Sequence, residues 1–336
     1  METQIMDDKE IKIILENAKT IAKDEGIPFA KEQTQLLSYF QSGYYKEAEK
    51  LSLFLLKKSP MLDLPWKIRG AILKQKGDLK EALECYKNSV LVAPNDPKNH
   101  FNLGNIFEEL GLLDQAENSF NAAIDIMPNF AEAHCNLGLV KQRLSRLDEA
   151  ELSFKTSLEL KPDYFEAYIN LGLLLNRQEK FREAEFILRD ALDLQPSSLV
   201  AIKYLAVTLF KQKRFDEAKS EYIKYLKFHP NDYSALCDLG TVLKSQKKFE
   251  NSKIIFEKAI RIEPNNSEAY FRLGNVFLSQ EQINYAETYY RKAILFNPNC
   301  VKSMTNLALI LNYKNKILEE RKILEKILKK DEQNFG

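Results

Sequence analysis

Little in this chain marks an enzyme or a binder of strongly charged ligands. Its 49 lysines and arginines are offset by 48 aspartates and glutamates, leaving a net charge of +1. That balance gives no electrostatic reason for nucleic acid or an anionic membrane to be the partner. No apolar run approaches the roughly eighteen residues of a membrane-crossing helix. The opening stretch, residues 1–19, has acids ahead of its apolar residues and a lysine among them, so it is not expected to be a secretory signal. The four cysteines, Cys85, Cys135, Cys237 and Cys300, lie far apart and form no CxxC pair. They build neither a disulfide scaffold nor a zinc module, and they fit a reducing, cytoplasmic setting. The histidines number three. His134 adjoins Cys135, but a metal needs further ligands, and residues adjacent on a helix point about 100° apart. The glycine-rich phosphate loops, the HExxH zinc motif and any convincing strand are missing as well. The reading is therefore of a protein that is not an enzyme, with no cofactor and no metal.

What the chain does have is a period. Eight of its eleven prolines are Pro60, Pro94, Pro128, Pro162, Pro196, Pro230, Pro264 and Pro298, each 34 residues from the last. A fixed period of this length marks a solenoid built from one repeated unit. With each unit numbered so that the proline is position 32, small residues recur at position 8 (Gly70, Gly104, Gly138, Gly172, Gly240, Gly274) and at position 20 (Ala48, Ala82, Ala116, Ala150). Large ones recur at position 24 (Tyr86, Phe120, Phe154, Tyr222) and at position 4 (Trp66, His100, His134, Tyr168). The pattern predicts helix A over positions 2–14, a short turn, and helix B over about 18–30, closed by the proline. N-cap candidates stand ahead of helix A at Asp63, Asp96, Asp163, Ser198, Asp232 and Ser267. Position 27 is small in most units but is Tyr225 in one, where a ring must displace the next helix or protrude.

These residues resemble the tetratricopeptide repeat (TPR) family over roughly residues 29–334. The resemblance implies an all-α fold, a right-handed α-solenoid superhelix of helix-turn-helix units. Residues 1–28 are expected to hold an N-terminal capping helix, at 7–24. Residues 29–62 read as a degenerate repeat, 63–300 as seven full repeats, and 301–336 as a degenerate repeat with a C-terminal capping helix. In the family, helix A lines a concave groove with positions 2, 5, 6, 9, 12 and 13. Position 6 carries Asn102, Asn136 and Asn170 in three successive repeats. An asparagine amide can pair with a peptide unit, so such a row is similar to the asparagine ladder in the TPR domain of O-linked N-acetylglucosamine transferases. The alternative is a merely solvated row. Asn105 at position 9 and Asn176 at position 12 add further amides. Phe101, Cys135, Ile169 and Phe271 at position 5, Leu139, Leu173 and Val207 at position 9, and then Tyr204 and Phe210 form an apolar strip beside them. The rim at positions 12 and 13 turns from Glu108 and Glu109 to Arg143, Arg177, Lys211 and Lys244. The carboxylate clamp of chaperone-binding relatives is not assembled: Lys67 is followed by Ala71, and Asn105 is preceded by Phe101.

Two functions follow as expectations. The first is a non-catalytic scaffold holding an extended peptide or partner segment in the groove. The second is the substrate-targeting TPR region of a larger bacterial enzyme, a glycosyltransferase or other transferase, with its catalytic domain beyond Gly336. Self-association through the last helix, which keeps Ile323, Leu324, Ile327 and Leu328, is a further expectation.

Overall fold

A computed structural model describes residues 29–334, with side chains as far as 328. The capping helix expected at 7–24 lies outside the described residues. Within them the chain is all α: eighteen helices and no strand, an α-solenoid of alternating A and B helices from Ala30–Gln41 and Tyr45–Lys58 to Val301–Tyr313 and Ile317–Asn334. They divide into two compact units, one ending at Leu174 and the other beginning at Leu175. Helices A and B begin about one residue earlier than the periodicity suggests, as in Pro97–Glu109 and Leu113–Ile126.

Helix A stops the same way every time. Position 15 has a positive φ in all nine repeats: Gly43, Gly77 and Gly111, then Ser145, Glu179, Lys213, Lys247, Glu281 and Asn315. The left-handed residue turns the chain so that two amides reach back to the last carbonyls. Gly77 N–H donates to Lys74 O and Asp78 N–H to Leu73 O, both at 2.9 Å. This is a Schellman closure, and it repeats with Glu179 and Lys180, and with Lys247 and Lys248. Asp96, Ser198, Asp232 and Asn266 cap helix starts through their side chains. Asn266 thus takes the role expected of Ser267, which is the first helical residue. Asp63 is also inside its helix, and its carboxylate accepts from Ser89 Oγ at 2.7 Å instead.

The end of helix B explains position 4. Trp66 Nε1 donates to Pro60 O (2.9 Å), Tyr168 Oη to Pro162 O (3.2 Å) and Tyr270 Oη to Pro264 O (2.9 Å). His100 and His134 place Nε2 at 2.8 and 3.0 Å from the carbonyls of Pro94 and Pro128. Tryptophan, histidine and tyrosine interchange here because each pairs a packing ring with a polar tip that satisfies an orphaned carbonyl. Between the helices, the ring at position 24 lies on the backbone at position 8. A Cβ built on Gly104 would stand 2.6 Å from Phe120 Cε1, and one on Gly138 would stand 2.7 Å from Phe154 Cε1. Both rings are fully buried, as are the alanines at position 20 from Ala48 to Ala218. Tyr225 neither protrudes nor stays apolar. It is buried, its hydroxyl donates to Asp232 Oδ2 at 2.6 Å, and Lys203 Nζ lies 5.2 Å above its ring.

A second, electrostatic repeat runs along the B helices. Arg146 at position 16 bonds Glu117 of the preceding repeat (2.7 Å) and Glu149 of its own (2.6 Å). Arg214 does the same with Glu185 and Glu217. At the same slot as Glu117, Glu287 meets Lys314 and Arg291. Burial pushes the Glu287 carboxyl upward, but these two cations outweigh it and hold it at about 2, against an ordinary 4.5. Asp232 is likewise opposed by burial, yet Lys203, the Tyr225 hydroxyl and the Ala235 N–H hold it at about 2, against 3.8. In the last helix Ile323 packs on the core, whereas Ile317, Leu318, Leu324 and Leu328 are exposed.

Two outcomes are expected. Gly104→Ala should destabilise the fold by about 1–3 kcal/mol, because overpacking against the immobile Phe120 ring exceeds the helix-propensity gain. A urea midpoint equal to or above that of the wild type would refute this. Because the folded carboxylates are depressed, the unfolded chain takes up protons first as pH falls. The stability they supply is complete above about pH 4.5 and is lost as pH falls toward 2. Urea midpoints measured across that window should drop, and drop less steeply in Glu287→Gln.

Candidate functional site

The row of asparagines is partly committed inside the protein. Asn136 Nδ2 donates to Asn105 Oδ1 at 2.7 Å. Further along, Asn306 Nδ2 donates to Asn275 Oδ1 (3.1 Å), and Arg272 Nη1 to Thr241 Oγ1 (2.8 Å). Position 6 of one repeat thus bonds position 9 of the repeat before. Where position 9 is apolar, that partner is missing. Asn170, which follows Leu139, has only the Cys135 sulfur at 3.6 Å. Asn102, which follows Ala71, is 8% exposed and makes no hydrogen bond among the described residues. Asn176 is engaged at position 12, its Nδ2 donating to the buried Thr208 hydroxyl at 2.7 Å.

The apolar strip is narrower than expected. Phe101 and Ile169 are buried, so they supply no exposed pocket wall. The reason at Phe101 is position 34, where the Phe130 ring lies 4.9 Å away and covers it. The same 5-to-34 contact is an ion pair elsewhere, Lys67 with Asp96 at 2.6 Å and Lys203 with Asp232 at 2.8 Å. Leu139, Leu173 and Tyr204 remain half-buried. Phe271 is also half-buried, and its position-34 counterpart is the small Cys300.

In the second unit these slots open into a cavity of about 340 Å³. Helix Leu199–Lys211 contributes Val207, Phe210 and Lys211. Helix Tyr233–Ser245 contributes Asp238, Thr241 and Lys244, and helix Ser267–Ser279 contributes Glu268, Phe271, Arg272 and Asn275. The fully buried rings of Tyr222 and Phe256, both at position 24, complete the lining. Every other lining residue sits at position 2, 5, 6, 9, 12 or 13. The lining thus comes from the expected positions and includes Val207, Phe210 and Phe271 of the expected strip, but it lies further along the chain than the asparagine row. Asp238 was legible there, since position 9 is apolar at Val207 and leaves position 6 of the next repeat without an amide partner; Lys211 and Lys244 stand on the rim already read as basic.

The charges in this cavity are unequally used. Arg272 Nε donates to Glu268 at 2.6 Å and Nη1 to Asp238 at 3.2 Å. Burial pushes the Asp238 carboxyl up, against the pull of Arg272. Burial also lowers the Lys244 ammonium. Neither Lys244 nor Lys211 has a carboxylate partner among the described residues. The rim of the first unit differs, because its acids are spent on neighbours: Glu108 meets Arg143 at 3.2 Å, and Glu109 meets Lys74 at 3.6 Å. A shallower depression of about 550 Å³ runs along the loop from His229 to Ser234. The one strong charge of that loop, Asp232, is already bonded by Lys203, Tyr225 and Ala235, so it offers a ligand little.

Family models described as tetratricopeptide repeat match residues 97–130, 129–197, 175–239, 233–266 and 267–300, and one described as TPR repeat matches 70–111. Together they run without a gap over more than half of the chain. No curated protein matches. Among solved structures, the APC/C hetero-tetramer Cut9-Hcn1 aligns with a TM-score of 0.57 at 14% identity, covering 89% of this chain and 59% of that one. This chain thus spans about three fifths of that relative. A tetratricopeptide repeat protein from Parabacteroides merdae aligns at 0.56 with 21% identity, covering 74% and 98%. Pseudomonas aeruginosa pilF aligns at 0.53 with 19% identity, covering 62% and 96%. At these identities the likeness concerns the fold.

The bond between Asn105 and Asn136 has a measurable weight. A double-mutant cycle over Asn105→Ala and Asn136→Ala should give a coupling of about 0.5–1.5 kcal/mol. Strict additivity would show that the pair does not join the two repeats.

Proposed function

The chain belongs to the tetratricopeptide repeat family, and we propose on that premise that it is a non-catalytic scaffold holding an extended segment of a partner protein against its A helices. The observation that carries this reading is the cavity in the second unit, built from the ligand-facing positions of three successive A helices and walled by Val207, Phe210 and Phe271. Apolar walls with a few polar groups converging between them are the usual form of a binding site. The asparagines support main-chain contact in a reduced form. Asn136 keeps its side-chain oxygen after donating to Asn105, and Asn170 has only a sulfur as partner. Four cysteines with no disulfide among the described residues fit a cytoplasmic setting.

The test is a displayed library of random twelve-residue peptides panned on the full chain, with affinities of selected peptides read by fluorescence anisotropy. Val207→Trp fills the cavity and should weaken those peptides at least tenfold while leaving the helical circular dichroism unchanged. Unchanged affinity in that variant would place recognition elsewhere.

A further inference from the structure

We infer that the second unit's cavity selects an acidic residue standing next to an apolar one in the bound segment, an inference that rests on the groove reading above. Three cations and two carboxylates line the cavity: Lys211, Lys244 and Arg272 against Asp238 and Glu268. Both carboxylates are occupied by the same guanidinium, whose Nη1 also donates to Thr241 and to the Cys237 carbonyl. Arg272 is therefore committed to its own neighbours, and its charge is set against those of the two carboxylates. The two lysines are left over. Lys244 is half-buried with nothing to neutralise it, so a carboxylate brought to it recovers an attraction that water supplies only in part. Lys211 is exposed at the end of its helix, one residue after Phe210.

The apolar walls fix what accompanies the carboxylate. Val207 and Phe210 stand one turn apart on the first helix, and Phe271 closes the third. An aromatic or branched side chain fits between them, with the acidic neighbour reaching the lysines. Complementary charge of this kind sets specificity and association rate more than total affinity. It also explains how a chain of net charge +1 can read charge at all. The acids and bases balance overall, but in the first unit the rim acids are spent on Arg143 and Lys74, while in the second the rim bases are spent on nothing.

The same library of random twelve-residue peptides tests this, panned in parallel on the wild type and on Lys211→Glu/Lys244→Glu. Neither lysine makes an ion pair, so the double variant should keep the wild-type circular dichroism, with a urea midpoint lowered only modestly by the acids at two helix C-termini. The wild type should enrich peptides with Asp or Glu beside Phe, Leu or Ile. Replacing that acid by Lys should weaken binding at least tenfold, and the effect should shrink as salt is raised. The double variant should enrich Lys or Arg in its place. Peptides with no preference for an acid, or acidic peptides that bind the double variant as tightly as the wild type, would overturn the inference. If those peptides still lost binding in Val207→Trp, the groove reading would stand without it. A library from which nothing is retained above background would sink both.

Discussion

Five of the repeats depend on one contact, the ring at position 24 lying against bare helix backbone at position 8. At Gly104 and Gly138 the space is smaller than a methyl group, so the two helices meet at a distance that only glycine permits. That distance sets helix A against helix B within a repeat, and helix B in turn carries helix A of the next repeat. Position 6 comes within hydrogen-bonding reach of position 9 in the repeat before, and position 5 comes under position 34. The polar and apolar pairings on the A-helix face are consequences of how closely the backbones pack.

The cavity is what those pairings leave over. In the first unit most slots are filled: Asn136 by Asn105, Phe101 by Phe130, Glu108 by Arg143. In the second, Val207 offers no partner to Asp238, the side chain at position 34 opposite Phe271 is small, and two rim lysines lack acids. The result is an opening where the repeat is otherwise closed. Repeat proteins draw specificity from departures of this kind, since an unbroken consensus satisfies itself.

Much of the fold was legible because its determinants are local and periodic. The 34-residue spacing of proline, the small residues at positions 8 and 20 and the rings at 24 give the helices to within a residue or so. The site was legible only as a set of positions. Whether Phe101 is a pocket wall depends on residue 130, and whether Asn136 is free depends on residue 105, each about thirty residues away. Reading one slot down the chain cannot show such pairs, although reading positions 5 with 34 and 6 with 9 together would have. The histidines at position 4 show the same limit. Their packing role was visible, but their bond to the preceding proline carbonyl is a contact between repeats.

The left-handed residue at position 15 has a separate consequence. Three repeats place glycine there, and six hold a residue with a Cβ in a conformation that costs it roughly 1–2 kcal/mol. None of those six side chains takes part in the pairings that shape the A-helix face. The array therefore carries adjustable tension at points unconnected to those pairings. Its lifetime could be lengthened or shortened, one turn at a time, with no change in the A-helix face, so durability and the chemistry of that face are free to evolve independently.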